Sequence, residues 1–81
     1  MRIEYTRRTI QALRQAPPVV RRAFFKPVLL LAENLRHPSL CAKKYDQSQD
    51  LWQARVSRDW RFYFNIRGDT YLIRDILPHP K

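Results

Sequence analysis

Eighty-one residues with 44% hydrophobic and 12% aromatic content amount to one compact domain, since a chain this short has room for a single core. Sixteen Lys and Arg against seven Asp and Glu give a formal charge of +9 and a pI near 10.6, which favours a polyanionic partner, either a nucleic acid or an acidic protein. A single Gly argues against a Gly-rich phosphate loop and hence a nucleotide cofactor; Cys41 stands alone, so no internal disulfide can form, and no Cys/His set has metal-binding spacing, so neither cofactor nor metal is expected.

The start, Met1-Arg2-Ile3-Glu4-Tyr5, turns polar within a few residues and lacks the apolar stretch of a signal peptide. No apolar run is long enough to span a bilayer, so the chain reads as soluble and cytoplasmic, with no membrane partner. A domain of this size buries only about 60% of the surface that its unfolded chain exposes. A bound partner would therefore add usefully to its stability.

Residues 2 to 6 read as a first strand, and Thr9 to Gln15 as a short helix stopped by Ala16-Pro17-Pro18. Val20, Phe24, Val28, Leu31 and Leu35 then recur at helical spacing, with Arg21, Arg22, Glu33 and Arg36 between them, which predicts a second, amphipathic helix. Pro27 lies inside it, and a residue without an N–H that crowds the preceding turn predicts a kink, or a break and restart, near Lys26. Arg36 to Asp50 reads as a polar surface loop holding His37 at a helix end, Cys41 as a small buried apolar group, and the pair Lys43-Lys44.

From Leu51 the period changes to two. Trp52, Ala54 and Val56, then Trp60, Phe62, Phe64 and Ile66, alternate with polar residues and predict two strands; Gly68-Asp69 supplies a turn, and Tyr71 to Leu77 a last strand ending at Pro78. The order strand, helix, helix, three strands is an α+β arrangement: a small antiparallel sheet with both helices packed on it, in one domain spanning 1–81.

Parity fixes how the central hairpin pairs. With a three-residue loop at Ser57-Arg58-Asp59, Val56 faces Trp60, Ala54 faces Phe62 and Trp52 faces Phe64, which sets Arg55 opposite Arg61 and Gln53 opposite Tyr63 on the other face. Like charges directly opposite cost up to about 1 kcal/mol. Two readings follow: an anion comes between the two forks, which suit phosphate oxygens, or both side chains splay into water. Tyr63 beside them is placed to stack on a base or to pack.

The segment Leu51-Trp52-Gln53-Ala54-Arg55-Val56-Ser57-Arg58-Asp59-Trp60-Arg61-Phe62-Tyr63-Phe64 resembles the core of the RelE/ParE toxin superfamily, as do Arg36-His37-Pro38-Ser39-Leu40 and Lys43-Lys44 upstream. The resemblance implies a microbial-ribonuclease-like fold and the toxin of a type II toxin-antitoxin system, neutralised by an acidic antitoxin. Ribonuclease members of that family cut messenger RNA on the ribosome, without a metal, by attack of a ribose 2′-OH on the adjacent phosphate. By position, Arg61 matches their phosphate-contacting arginine, Arg55 a basic residue on the neighbouring strand, and His79 a C-terminal catalytic histidine. The three are the expected catalytic residues, His79 as the acid for the leaving 5′-oxygen. Lys43, Lys44, Arg58, Tyr63 and Lys81 are the expected RNA-binding residues.

The chain departs from that pattern in having no Glu between Arg36 and Trp52 and no Tyr after His79. Two alternatives stand beside the nuclease: a gyrase-poisoning toxin of the ParE branch, which needs no acid at position 79, and a catalytically inactive homologue.

Overall fold

The structure, a computed structural model, describes residues 1–79. Its elements are β1 (Arg2–Tyr5), α1 (Arg7–Gln15), α2 (Pro18–Glu33), a 3-10 turn (Pro38–Leu40), β2 (Lys43–Asp46), β3 (Leu51–Ser57), β4 (Trp60–Arg67) and β5 (Thr70–Pro78). The sheet order is β1-β5-β4-β3-β2. From β2 to β5 the chain meanders antiparallel, while β1 lies parallel to β5 at the edge, so the sheet is mixed rather than wholly antiparallel. Both helices lie in the crossover between β1 and the rest of the sheet, and a parallel pair needs a long connection of this kind.

α1 begins where the Thr6 hydroxyl accepts the Thr9 amide at 3.2 Å. Thr9 is fully buried, and its hydroxyl donates to the Ile73 carbonyl at 2.8 Å, tying the helix to β5. The helix ends at Ala16, in an extended conformation that the following prolines favour. α2 has Pro18 in its first turn and runs on through Pro27 to Glu33, so of the two outcomes expected at Lys26, a kink or a break with a restart, the break does not occur. Its buried stripe is Val20, Phe24, Pro27, Val28 and Leu31: the ring of Pro27 is packed into the core, and that burial offsets the lost backbone donor.

Against this stripe β3, β4 and β5 set Ala54, Val56, Phe62, Phe64, Tyr71, Ile73 and Ile76. The Phe24 ring meets Phe62 edge-on at 5.7 Å, and Phe64 meets Tyr71 at 5.6 Å in the same way. The segment read as a loop from Arg36 to Asp50 instead holds the 3-10 turn, capped by the His37 Nδ1 accepting the Ser39 amide at 3.2 Å, and the edge strand β2. Cys41 is exposed, not buried: it takes the left-handed conformation (φ 47°) that turns the chain from the 3-10 turn towards β2, and this points it outward.

Phe24→Ala should lower the unfolding free energy by about 3–5 kcal/mol, because it empties the centre of the core. Phe25→Ala, next in sequence but 55% exposed, should cost at most about 1 kcal/mol. Urea unfolding of the two variants would check the contrast.

Candidate functional site

The expected register is present for four pairs: Trp52 with Phe64, Gln53 with Tyr63, Ala54 with Phe62, and Arg55 with Arg61. The loop differs. Ser57, not Val56, pairs with Trp60, so the turn has two residues, Arg58-Asp59, and Val56 is an extra residue in β3. The two arginines part at this bulge. Arg61 folds back on the turn, where its Nη1 donates to the carbonyls of Ser57 at 2.7 Å, Trp60 at 3.0 Å and Arg58 at 3.2 Å. Arg55 is exposed and borders a shallow groove with Arg22, Lys26 and Leu30 of α2. Adjacency of the backbones therefore does not create a pair of parallel forks, because the turn carbonyls draw one guanidinium away.

His79 is brought to the same end of the sheet. Its backbone N–H donates to the Asp59 carbonyl at 2.7 Å, which pins the residue after β5 beside the β3–β4 turn. One step back along the alternation, Leu77 is the register partner of Arg61. Arg58 is exposed in the turn itself. Arg58 and Arg61 from the hairpin and His79 from far along the chain thus meet at one corner, and the bonds of Arg61 engage Nη1 alone, leaving Nε and Nη2 to donate elsewhere.

From this corner a groove of about 480 Å³ runs across the sheet, lined by Arg8, Tyr45, Gln49, Leu51, Tyr63, Asn65, Arg74, Asp75 and Leu77. Tyr63 is buried in its floor and its hydroxyl accepts from the Gln53 amide at 3.1 Å, so it is not the half-exposed ring that strand alternation suggests. The exposed ring is Tyr45, edge-on to Tyr63 at 5.1 Å. Asp75 pairs with Arg8 at 3.0 Å. Asn65 is also buried; its amide donates to the carbonyls of Asp50 at 2.7 Å and Gln49 at 3.1 Å and its oxygen accepts Arg74 Nη1 at 2.9 Å, so one side chain joins the β2–β3 turn to β5.

The basic pair of β2 divides. Lys44 is bonded to Asp50 and lies over the Trp52 ring, 5.1 Å from its centroid, so much of its charge is spent locally. Lys43, the register partner of Gln53, is exposed and enters no ion pair among the described residues. Lys81 lies outside the described residues. Among the described residues there is no cluster of His, Cys, Asp and Glu able to hold a metal, and no helix is long and apolar enough to cross a membrane.

Arg8, Tyr45, Asn65, Arg74 and Asp75 were not singled out from sequence. One signal was present for the last two: the apolar positions Tyr71, Ile73 and Ile76 change from odd to even, which marks an inserted residue in β5.

No family model matches the sequence, and no curated protein matches it. Solved structures do match the fold. The YoeB/ParE toxin from Agrobacterium tumefaciens superposes with a TM-score of 0.80 at 9% identity, covering 99% of this chain and 100% of that one. The archaeal RelE-RelB complex from Pyrococcus horikoshii OT3 gives 0.76 at 21% identity, covering 99% and 96%. The isolated E. coli RelE toxin gives 0.75 at 13% identity, covering 99% and 85%. The chain has the fold of the RelE and YoeB/ParE toxins, as the resemblance of its hairpin implied.

The Asp46 carboxylate holds the rim of the groove by accepting from the Ser48 hydroxyl at 2.7 Å and from the Ser48 and Gln49 amides at 3.0 and 3.4 Å. The Ser48 hydroxyl is the main cause that lowers its pKa; partial desolvation opposes this, and the two amides add to the lowering. With the folded value below the unfolded one, this hold is present at neutral pH and is lost as the pH falls through the folded value. In an NMR titration the Ser48 and Gln49 amide shifts should therefore move with a midpoint below that of an ordinary aspartate, and Ser48→Ala should raise that midpoint.

Proposed function

We propose that this chain is the toxin of a toxin-antitoxin pair and that it cleaves RNA at the corner formed by Arg61 and His79. The observation that carries this reading is the bond from the His79 amide to the Asp59 carbonyl at 2.7 Å, which sets an imidazole, a side chain able to give and take a proton, at the same corner as the arginine of the neighbouring strand. On this reading Nε and Nη2 of Arg61 hold the scissile phosphate, and His79, whose backbone is anchored at the same corner, serves as the acid. The ribose 2′-OH gives up its proton to solvent water as its oxygen attacks phosphorus, the P–O5′ bond breaks, and the His79 imidazole donates a proton to the departing 5′-oxygen. The products are a 2′,3′-cyclic phosphate and a 5′-OH, and no metal takes part. Arg61 stabilises the negative charge that builds on the phosphoryl oxygens. Arg58 and Lys43 hold flanking phosphates, and the net charge of +9 makes that binding salt-dependent.

Arg55 takes a different place in this scheme. It borders the groove over α2 with Arg22 and Lys26, and Phe25 and Leu29, 55% and 67% exposed, lie on the same stretch of that helix. An amphipathic segment of an acidic antitoxin would set its apolar side on Phe25 and Leu29 and its carboxylates against the three cations. The solved RelE-RelB complexes pair a toxin of this fold with an antitoxin, which supports a partner of that kind. Because the partner is acidic and the site is cationic, binding and RNA cleavage would compete through the field of the protein.

His79→Ala should cut the cleavage rate by about a hundredfold or more while RNA binding stays near normal, since the acid acts only in the transition state. Arg61→Ala should weaken both. Single-turnover cleavage of a labelled messenger on ribosomes, with analysis of the product ends, would check this. Intact messenger together with gyrase trapped on DNA would overturn the nuclease reading in favour of a gyrase poison.

Phe25→Glu combined with Leu29→Glu should weaken capture of the product of an adjacent acidic reading frame by about tenfold or more and leave RNA cleavage unchanged. Co-purification and a growth-rescue assay would check this.

A further inference from the structure

The groove that leads away from the Arg61–His79 corner holds features that the cleavage chemistry does not use. Tyr45 is 59% exposed although it lies in a strand. It is the inserted residue of β2, where the register shifts between Lys44 and Asp46, and the bulge turns its ring over the sheet. There it meets Tyr63 edge-on at 5.1 Å and 68°. An exposed ring held by a neighbour on one side presents the other side to whatever occupies the groove. It does so with little rotamer freedom left to lose.

The charge beside it is unbalanced. Arg8 is paired with Asp75 at 3.0 Å, but Arg74 spends Nη1 on the neutral amide oxygen of Asn65 and enters no ion pair among the described residues. Arg74 is itself an inserted residue, since β5 pairs Asp75 with Tyr63 and Ile73 with Phe64 and leaves position 74 over. Two register shifts on strands at opposite sides of the groove therefore deliver one open aromatic face and one cation that no carboxylate neutralises. The Asn65 bonds to Gln49 and Asp50 fix the turn between them.

An aromatic face beside an uncompensated guanidinium suits an unpaired nucleotide, whose base has a free π-face and whose phosphate carries the charge. A duplex keeps its base faces stacked and offers only phosphates. We propose that Tyr45 and Arg74 form the seat for one unpaired nucleotide of the RNA strand, its base stacked on Tyr45 and its phosphate against Arg74. This rests on the nuclease reading of the same face. Asp75 lies two residues, about 7 Å, along β5 from Leu77 at the Arg61 corner, and β2 lies two strand spacings, about 10 Å, from β4. The seat is thus occupied by a nucleotide near the cut bond, not by the one that is cut.

The test uses a short single-stranded RNA with 2′-O-methyl riboses, which offers no 2′-OH to attack, carrying 2-aminopurine at one position at a time. The whole chain should bind it and quench the fluorescence at one position. Tyr45→Ala should weaken binding about tenfold or more and abolish that quench, while Tyr45→Trp should retain both. Arg74→Gln should flatten the salt dependence and leave the quench in place. An unchanged affinity and quench in Tyr45→Ala, equal affinity for a duplex of the same sequence, or no binding at all would overturn the seat. Cleavage of ordinary messenger, measured alongside, separates the two claims. A protein that cuts RNA but ignores the Tyr45 substitution loses only the seat, and one that shows the Tyr45-dependent quench but cuts nothing loses only the nuclease. Tyr45 is too exposed for its variants to fail by unfolding, which a thermal melt would verify.

Discussion

Three places where one strand carries a residue more than its neighbour govern the rest of this structure. A regular sheet sends alternate side chains to opposite faces, and every residue here would obey that rule were it not for the register shifts at Tyr45, Val56 and Arg74. Each shift re-aims something. In β2 it lifts Tyr45 over the groove, in β5 it brings Arg74 and Asp75 both to the groove, and in β3 it shortens the hairpin turn to two residues. The short turn leaves the carbonyls of Ser57, Arg58 and Trp60 within reach of Arg61, so the local irregularity also decides where that guanidinium rests.

Irregular strands need support, because each bulge disrupts the ladder. On one side the support is apolar. Phe24 of α2 packs on Phe62, and Phe62 and Phe64 lie beside each other beneath the helix, so β4 cannot slide without exposing rings that are wholly buried. On the groove side the support is polar. Asn65 is buried with all its bonds satisfied, holding the β2–β3 turn through its amide and Arg74 through its oxygen. A buried amide with three protein partners has one orientation, and that orientation sets the spacing between the two edges of the groove.

The charge is unevenly spread over the surface. Arg2, Arg8 and Lys44 are paired with Glu4, Asp75 and Asp50. Among the described cations without a carboxylate partner, two sets border the two hollows. Lys43, Arg58, Arg61 and Arg74 belong to the groove side and its corner, while Arg22, Lys26 and Arg55 border the hollow over α2, next to Phe25 and Leu29. On the proposed reading the groove takes RNA, and the hollow beside Phe25 and Leu29 takes an acidic amphipathic protein.

Both the layering of helices on a sheet and four pairs of the central hairpin were legible in the sequence, because burial writes itself as period: 3.6 from Val20 to Leu31, and two from Trp52 to Ile66. The change of parity between Ile73 and Ile76 carried the β5 bulge in the same way. What the period could not carry was anything fixed by partners far along the chain. The strand at Lys43–Asp46 exists because β3 offers it an unpaired edge, Pro27 stays helical because the core accepts its ring, and Cys41 faces outward because the 3-10 turn ends in a left-handed residue. Side-chain direction within the site was likewise a tertiary matter. The sequence by itself determined that Arg55 and Arg61 would be neighbours, since pairing follows from parity. Only the folded turn decided that they would part, because three carbonyls outbid the shared face for one guanidinium.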